Sequence, residues 1–120
     1  MCIRDRDHSS VEIALKDILS QTKTIDILIN NAGGSPLLNA TSGSINFHKS
    51  VIDFNLTAQL QVSVMVAKKM LKQKSISSII NISSVTANRP TPGSAAYGAC
   101  LLYTSPSPRD ATLSRMPSSA

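Results

Sequence analysis

Ile79-Ile80-Asn81-Ile82-Ser83-Ser84-Val85, followed after a turn by Ala95-Ala96-Tyr97-Gly98-Ala99, is the stretch from which the fold of this chain is read. Isoleucine at three of four consecutive positions predicts a short buried strand, because β-branched side chains fit a pleated, half-buried surface. Two hydroxyls follow where that strand must end. Ligands of an open parallel sheet collect at the carboxyl ends of its strands, which places Ser84 at a position of chemical interest. Arg89-Pro90-Thr91-Pro92-Gly93 then turns the chain, and Tyr97, thirteen residues beyond Ser84, opens a segment of helical character. A serine and a tyrosine can thus face one crevice.

Upstream, Ile25-Asp26-Ile27-Leu28-Ile29 predicts a second strand, of the nearly continuous apolar kind that is buried on both faces of a parallel sheet. Asn30-Asn31-Ala32-Gly33-Gly34 must stop it, since Asn and Gly tolerate positive φ and let the backbone approach a flat ligand. A plain turn would account for the same residues. Between the strands, Val51, Ile52, Leu56, Ala58, Val62, Met65, Val66, Met70 and Leu71 form a broad apolar stripe that predicts one helix over 45–73, roughly 40 Å long. Asn55 is a poor residue for the middle of such a helix, because its amide competes with the backbone. Strand, helix, strand is a right-handed crossover with parallel strands, so Asn30–Gly33 and Ser83-Ser84 fall on the same sheet edge. Ahead of it, Ser9-Ser10-Val11-Glu12 has capping-box spacing, and Val11, Ala14, Leu15, Ile18 and Leu19 predict an amphipathic helix to about residue 21.

Ser84 followed by a Pro/Gly loop and Tyr97-Gly98-Ala99, with Asn30-Asn31-Ala32-Gly33 after a strand and Asn55 in Asp53-Phe54-Asn55-Leu56-Thr57, resembles the short-chain dehydrogenase/reductase family over residues 8–99. The resemblance implies a partial Rossmann-like, doubly wound parallel α/β sheet of about two strands and two to three helices. It also implies an NAD- or NADP-dependent oxidoreductase that moves a hydride between nicotinamide and a small carbonyl or alcohol substrate. Asn55, Ser84 and Tyr97 correspond to the family's catalytic residues, with Asn55 holding a water, and Asn30, Asn31, Ala32 and Gly33 border the cofactor. Asp7 corresponds to an acidic position beside adenine, and the long helix to an oligomer interface. A free tyrosine phenol is a feeble base at neutral pH, with on the order of one in a thousand ionised, and the family supplies a Lys one turn later to stabilise the phenolate. Here that position is Leu101, and no glycine-rich phosphate loop occurs in the chain. The expectation is therefore a fragment that neither binds the cofactor tightly nor turns over. The alternative is a noncatalytic scaffold or interaction module that keeps the crossover unit.

Composition limits the other classes. At 120 residues and 42% apolar, the chain suffices for one domain with a core. Its net charge of +5 does not point to nucleic acid, because Lys68, Lys69, Lys72 and Lys74 cluster at one helix end, complementing the dipole in solvent, with no aromatic interleaving. Cys2 and Cys100 make no metal pattern, and His8 and His48 read as solvated, so no metal is assigned. No apolar run reaches the roughly 18 residues of a membrane span and Met1–Arg6 lacks the apolar middle of a signal peptide, so a cytoplasmic origin is expected. Three segments result: an unstructured 1–6, a partial domain over 7–99, and a Ser/Pro-rich disordered tail over 100–120. Met-Cys-Ile-Arg-Asp-Arg and Cys-Leu-Leu-Tyr-Thr-Ser-Pro-Ser-Pro-Arg-Asp at the two ends resemble translated sequencing-adaptor segments.

Overall fold

The computed structural model describes residues 8–89 and 91–104. Helix α1 (His8–Thr22) leads to strand β1 (Ile27–Asn30), a long loop, and helix α2 (Ile45–Ile52). A π-helical turn, Asp53–Thr57, joins α2 to α3 (Ala58–Met70), which is followed by β2 (Ser78–Asn81), a 3-10 turn (Val85–Ala87) and α4 (Ala95–Thr104). β1 and β2 pair in parallel, Ile27 with Ser78 through Asn30 with Asn81, as the crossover predicts. The fold is α/β. No helix among the described residues is long and apolar enough to cross a membrane.

The core lies between α1, α3 and one face of the sheet. Val11 and Leu15 of α1 meet Val66 and Met70 of α3, with Ile25, Leu28, Val62 and Met65 packed around them. Fully burying such a side chain contributes about 1.5–3 kcal/mol, so this seam accounts for the docking of α1. The helix begins at His8, which puts Ser9 inside its first turn and not at its cap. It ends at Lys23, whose φ of 66° is left-handed and whose N–H closes on Leu19 O at 3.1 Å.

Two expectations about the strands change. β1 begins two residues later than the apolar run, yet Ile25 is still held as if in a ladder: its N–H donates to Gln73 Oε1 at 2.7 Å and its carbonyl accepts from Gln73 Nε2 at 3.0 Å. A side-chain amide thus takes the place of a neighbouring strand ahead of Ser78. Nor do the described residues cover the sheet on both faces. Leu28 and Asn30 face the helices, whereas Ile27 (60% exposed), Ile29, Ile80 and Ile82 share the opposite face and remain exposed.

The single long helix predicted over 45–73 is one rod with an altered middle. Ser44 caps it, accepting from Phe47 N–H at 3.1 Å. Asn55 Nδ2 donates to Val51 O at 2.8 Å, competing for the carbonyl that a regular turn would use, and the Ala58 N–H reaches five residues back to Asp53 O. The competition anticipated for Asn55 therefore produces a π turn. His48, read as solvated, is half-buried with Nε2 3.1 Å from Ala40 O, while the His8 side chain lies outside the described residues. α4 runs to Thr104, past the expected boundary at 99, because Cys100 and Leu101 are buried and continue its inward face. Asp7, residues 1–6 and residues 105–120 lie outside the described residues.

Candidate active site

The loop leaving β1 is gripped by the rod above it. Asn55 is fully enclosed; its Oδ1 accepts from Gly34 N–H at 2.8 Å and its Nδ2 donates to Gly34 O at 3.0 Å. With Val51 O as its third partner, both N–H donors are committed within the chain, so the side chain acts as a clamp on the loop. One turn on, Gln59 Nε2 donates to Ala32 O at 2.6 Å. A further turn on, Ser63 Oγ accepts from Asn30 Nδ2 at 2.7 Å, and the same Nδ2 lies 2.7 Å from Asn81 Oδ1 on the neighbouring strand. Gly33 passes so close beneath that a Cβ there would lie 2.9 Å from Asn55 Oδ1, a distance side chains do not tolerate. Of the predicted nucleotide-bordering residues, Asn30 is buried, whereas Asn31, Ala32 and Gly33 are exposed along the rim.

The loop leaving β2 is held by its own turn and by α4. Ser84 caps the 3-10 turn, its Oγ accepting from Thr86 N–H at 3.3 Å and lying 3.3 Å from Thr86 Oγ1. Ser83 Oγ reaches Leu101 O at 3.4 Å. Ser94 opens α4: it is buried, its Oγ donates to Thr91 O at 2.7 Å, and its carbonyl accepts from Gly98 N–H at 2.7 Å. Beyond it, the backbone of Gly98 presses on the preceding segment, where a Cβ would lie 3.1 Å from Thr86 O. α4 also packs against the π turn that carries Asn55. The elements bearing Asn55, Ser84 and Tyr97 therefore converge at the carboxyl end of the sheet. Tyr97 itself is half-buried, and its hydroxyl makes no hydrogen bond among the described residues, to Ser84 or otherwise. Leu101, one turn after it, is 3% exposed.

Gln59, Ser63 and Asn81 are the residues that the sequence reading passes over. For the two helical ones the signal is spacing: Asn55, Gln59 and Ser63 recur every four residues, the period of one helical face. Cys100 is buried on α4, and loss of solvent pushes its thiol up, partly offset by a backbone hydrogen bond.

Comparison with known proteins agrees with this fold. A 3-oxoacyl-[acyl-carrier-protein] reductase from Synechocystis sp. is 39% identical over 89 residues, which are 74% of this chain and 36% of that protein. A short chain dehydrogenase from Bacillus anthracis superposes with a TM-score of 0.78 at 27% identity, covering 83% of this chain and 42% of that one. Carveol dehydrogenase from Mycobacterium avium in complex with NAD does so at 0.77 and 25% identity, covering 83% of this chain and 36% of that one. The chain thus spans about two fifths of the length of the proteins it matches or less. The short chain dehydrogenase model matches residues 3–100, and this chain belongs to that family.

Proposed function

We propose that these residues form the sheet-edge part of a cytoplasmic oxidoreductase that uses NAD or NADP to move a hydride to or from a small carbonyl or alcohol substrate. The observation that carries the reading is the convergence on α4. That helix bears Tyr97 and packs against both the π turn of Asn55 and the 3-10 turn capped by Ser84, beside the clamped loop 30–34. In this reading the nicotinamide, when bound, supplies or accepts the hydride. Ala32 and Gly33 border it, and the tightness at Gly33 fits a loop whose backbone must lie flat. The Ser84 hydroxyl holds the substrate oxygen, and the Tyr97 hydroxyl gives or takes its proton. Asn55 works through the loop that it clamps. Ile52, Leu60 and Val64 leave the outer side of the rod apolar and exposed, which supports self-association through it.

One observation favours the noncatalytic reading for the 120 residues taken alone. Leu101, which is buried, stands where the reaction needs a cation, and a cation there would have to be desolvated. We therefore expect contact with nucleotide without turnover. The test is NMR of the isotopically labelled chain with millimolar NADH or NADPH, alongside a carbonyl-reduction assay. Shifts confined to the amides of Ala32, Gly33 and Gly34, with no oxidation of nucleotide, are the expected pair. Silence at those amides sinks the role of the loop, and turnover sinks the noncatalytic expectation.

A further inference from the structure

We infer that Gln59 is a positioning residue: by holding Ala32 O it sets the shape of the 30–34 loop and, on the function proposed above, the affinity of that loop for a nicotinamide dinucleotide. Its surroundings give no other reason for an amide. Gln59 lies next to Ala58 and one turn from Val62, on the helix side that lines an apolar cavity of about 240 Å³ with Leu15, Leu28 and Val66. It is only 8% exposed. Burying an amide in such a place is unfavourable unless it is bonded, and an apolar side chain would stabilise the core more. The bond it makes is short, 2.6 Å, and goes to the loop.

Its place in the series explains the fit. Asn55, Gln59 and Ser63 meet Gly34, Ala32 and Asn30, so that steps of four along the helix match steps of two along the loop, in the opposite direction. A helix advances about 6 Å in four residues, and extended chain about 6.6 Å in two. Gln59 is the middle rung. Without it, Ala32 O has no partner and the chain is free to bow away between its two remaining anchors. Gly33 would then leave the position where its Cα faces Asn55 Oδ1 and Gln59 Nε2, at 2.9 and 3.6 Å from where a Cβ would stand.

The experiment compares the labelled 120-residue chain with Gln59→Met, which keeps the volume and removes the donor, and Gln59→Glu, which keeps the shape and sets an acceptor against Ala32 O. Both variants are expected to bind NADH and NADPH about tenfold more weakly, the effect of one hydrogen bond, with faster exchange of the amides at 32–34. Gln59→Met is expected to keep the wild-type unfolding midpoint or raise it. A purely structural role predicts the reverse pairing, a lowered midpoint with unchanged affinity in the folded fraction. Wild-type affinity or wild-type loop exchange in Gln59→Met overturns the inference. If the wild-type chain shows no nucleotide contact, the proposed function fails, and amide exchange still decides whether Gln59 shapes the loop.

Discussion

The loop after β1 and the loop after β2 leave the sheet from paired residues, Asn30 and Asn81, and are then held in different ways. The first is anchored by side chains that lie 21 to 33 residues away in sequence, at 2.6 to 3.0 Å. In the second, the Ser84 hydroxyl meets only its neighbour two residues on, at 3.3 Å, and the segment takes its place from the packing of α4. One half of the rim is thus gripped by side-chain amides at short range before any ligand arrives; in the other, the serine hydroxyls make contacts of 3.3 to 3.4 Å. Groups fixed in advance cost no reorganisation when they are used, whereas groups ordered on binding reduce affinity. The nucleotide side of the proposed site is the prepared one.

The largest expected effect breaks the prepared half. Asn55→Leu keeps the branched outline of the side chain, removes three hydrogen bonds, and leaves both backbone groups of Gly34 without their partner. A loss on the order of 3 kcal/mol is expected by urea titration, because unsatisfied buried polar groups add to the bonds lost. Hydrogen exchange at Gly34 should accelerate along with it. A loss below about 1 kcal/mol would mean that the clamp follows from the fold and does not hold it, and the contrast between the two loops would disappear.

A smaller effect probes what holds the second half. Cys100 is 3% exposed on α4, and its thiol is held above the ordinary value of 9.0 by burial, with a backbone hydrogen bond acting the other way. The folded chain keeps the thiol proton to higher pH than the unfolded chain does. The stability from this group is therefore fully present below pH 9 and declines as pH rises through 9 toward the folded value. Cys100→Ala should cost on the order of 1–2 kcal/mol at neutral pH through lost packing. The difference between wild type and variant should then narrow in denaturation curves taken above pH 9. A constant difference across that range would mean that the thiol is not desolvated.

The same contrast explains what the sequence disclosed. Both strands, their parallel pairing and the long rod follow from apolar patterns within a few residues, and so were legible at Ile25–Ile29, Val51–Met70 and Ile79–Ile82. The π turn was not, although Asn55 was noticed: its position depends on Val51 O and Gly34 together, and Gly34 is 21 residues distant. Gln59 and Ser63 were passed over because a polar residue in an apolar stripe carries no mark of what it faces. The ladder becomes visible only when loop and helix are seen in register. The tail was expected to begin at 100, where the family resemblance ends and the adaptor-like run Cys100-Leu101-Leu102 begins, while burial of Leu101 is a property of the packed state. The bare face of Ile27, Ile29, Ile80 and Ile82 shows the limit from the other side: the strands have the composition of buried ones, and the described residues cover one face.

The smallest effect is expected at Ser84. Capping serines contribute about 0.5–2 kcal/mol in regular helices, but this one caps a turn of three residues through contacts of 3.3 Å to Thr86, near the outer limit for a hydrogen bond. Ser84→Ala should therefore shift stability by about 0.5 kcal/mol or less, measured by the same urea titration. The reasoning extends to why a serine stands there at all. A hydroxyl that adds so little to the fold, at the carboxyl end of a strand and half-buried beside α4, is one whose removal a structural role would tolerate. A loss above about 1.5 kcal/mol would assign Ser84 to the architecture. The two loops would then differ in sequence range alone, and not in whether they were built before the ligand.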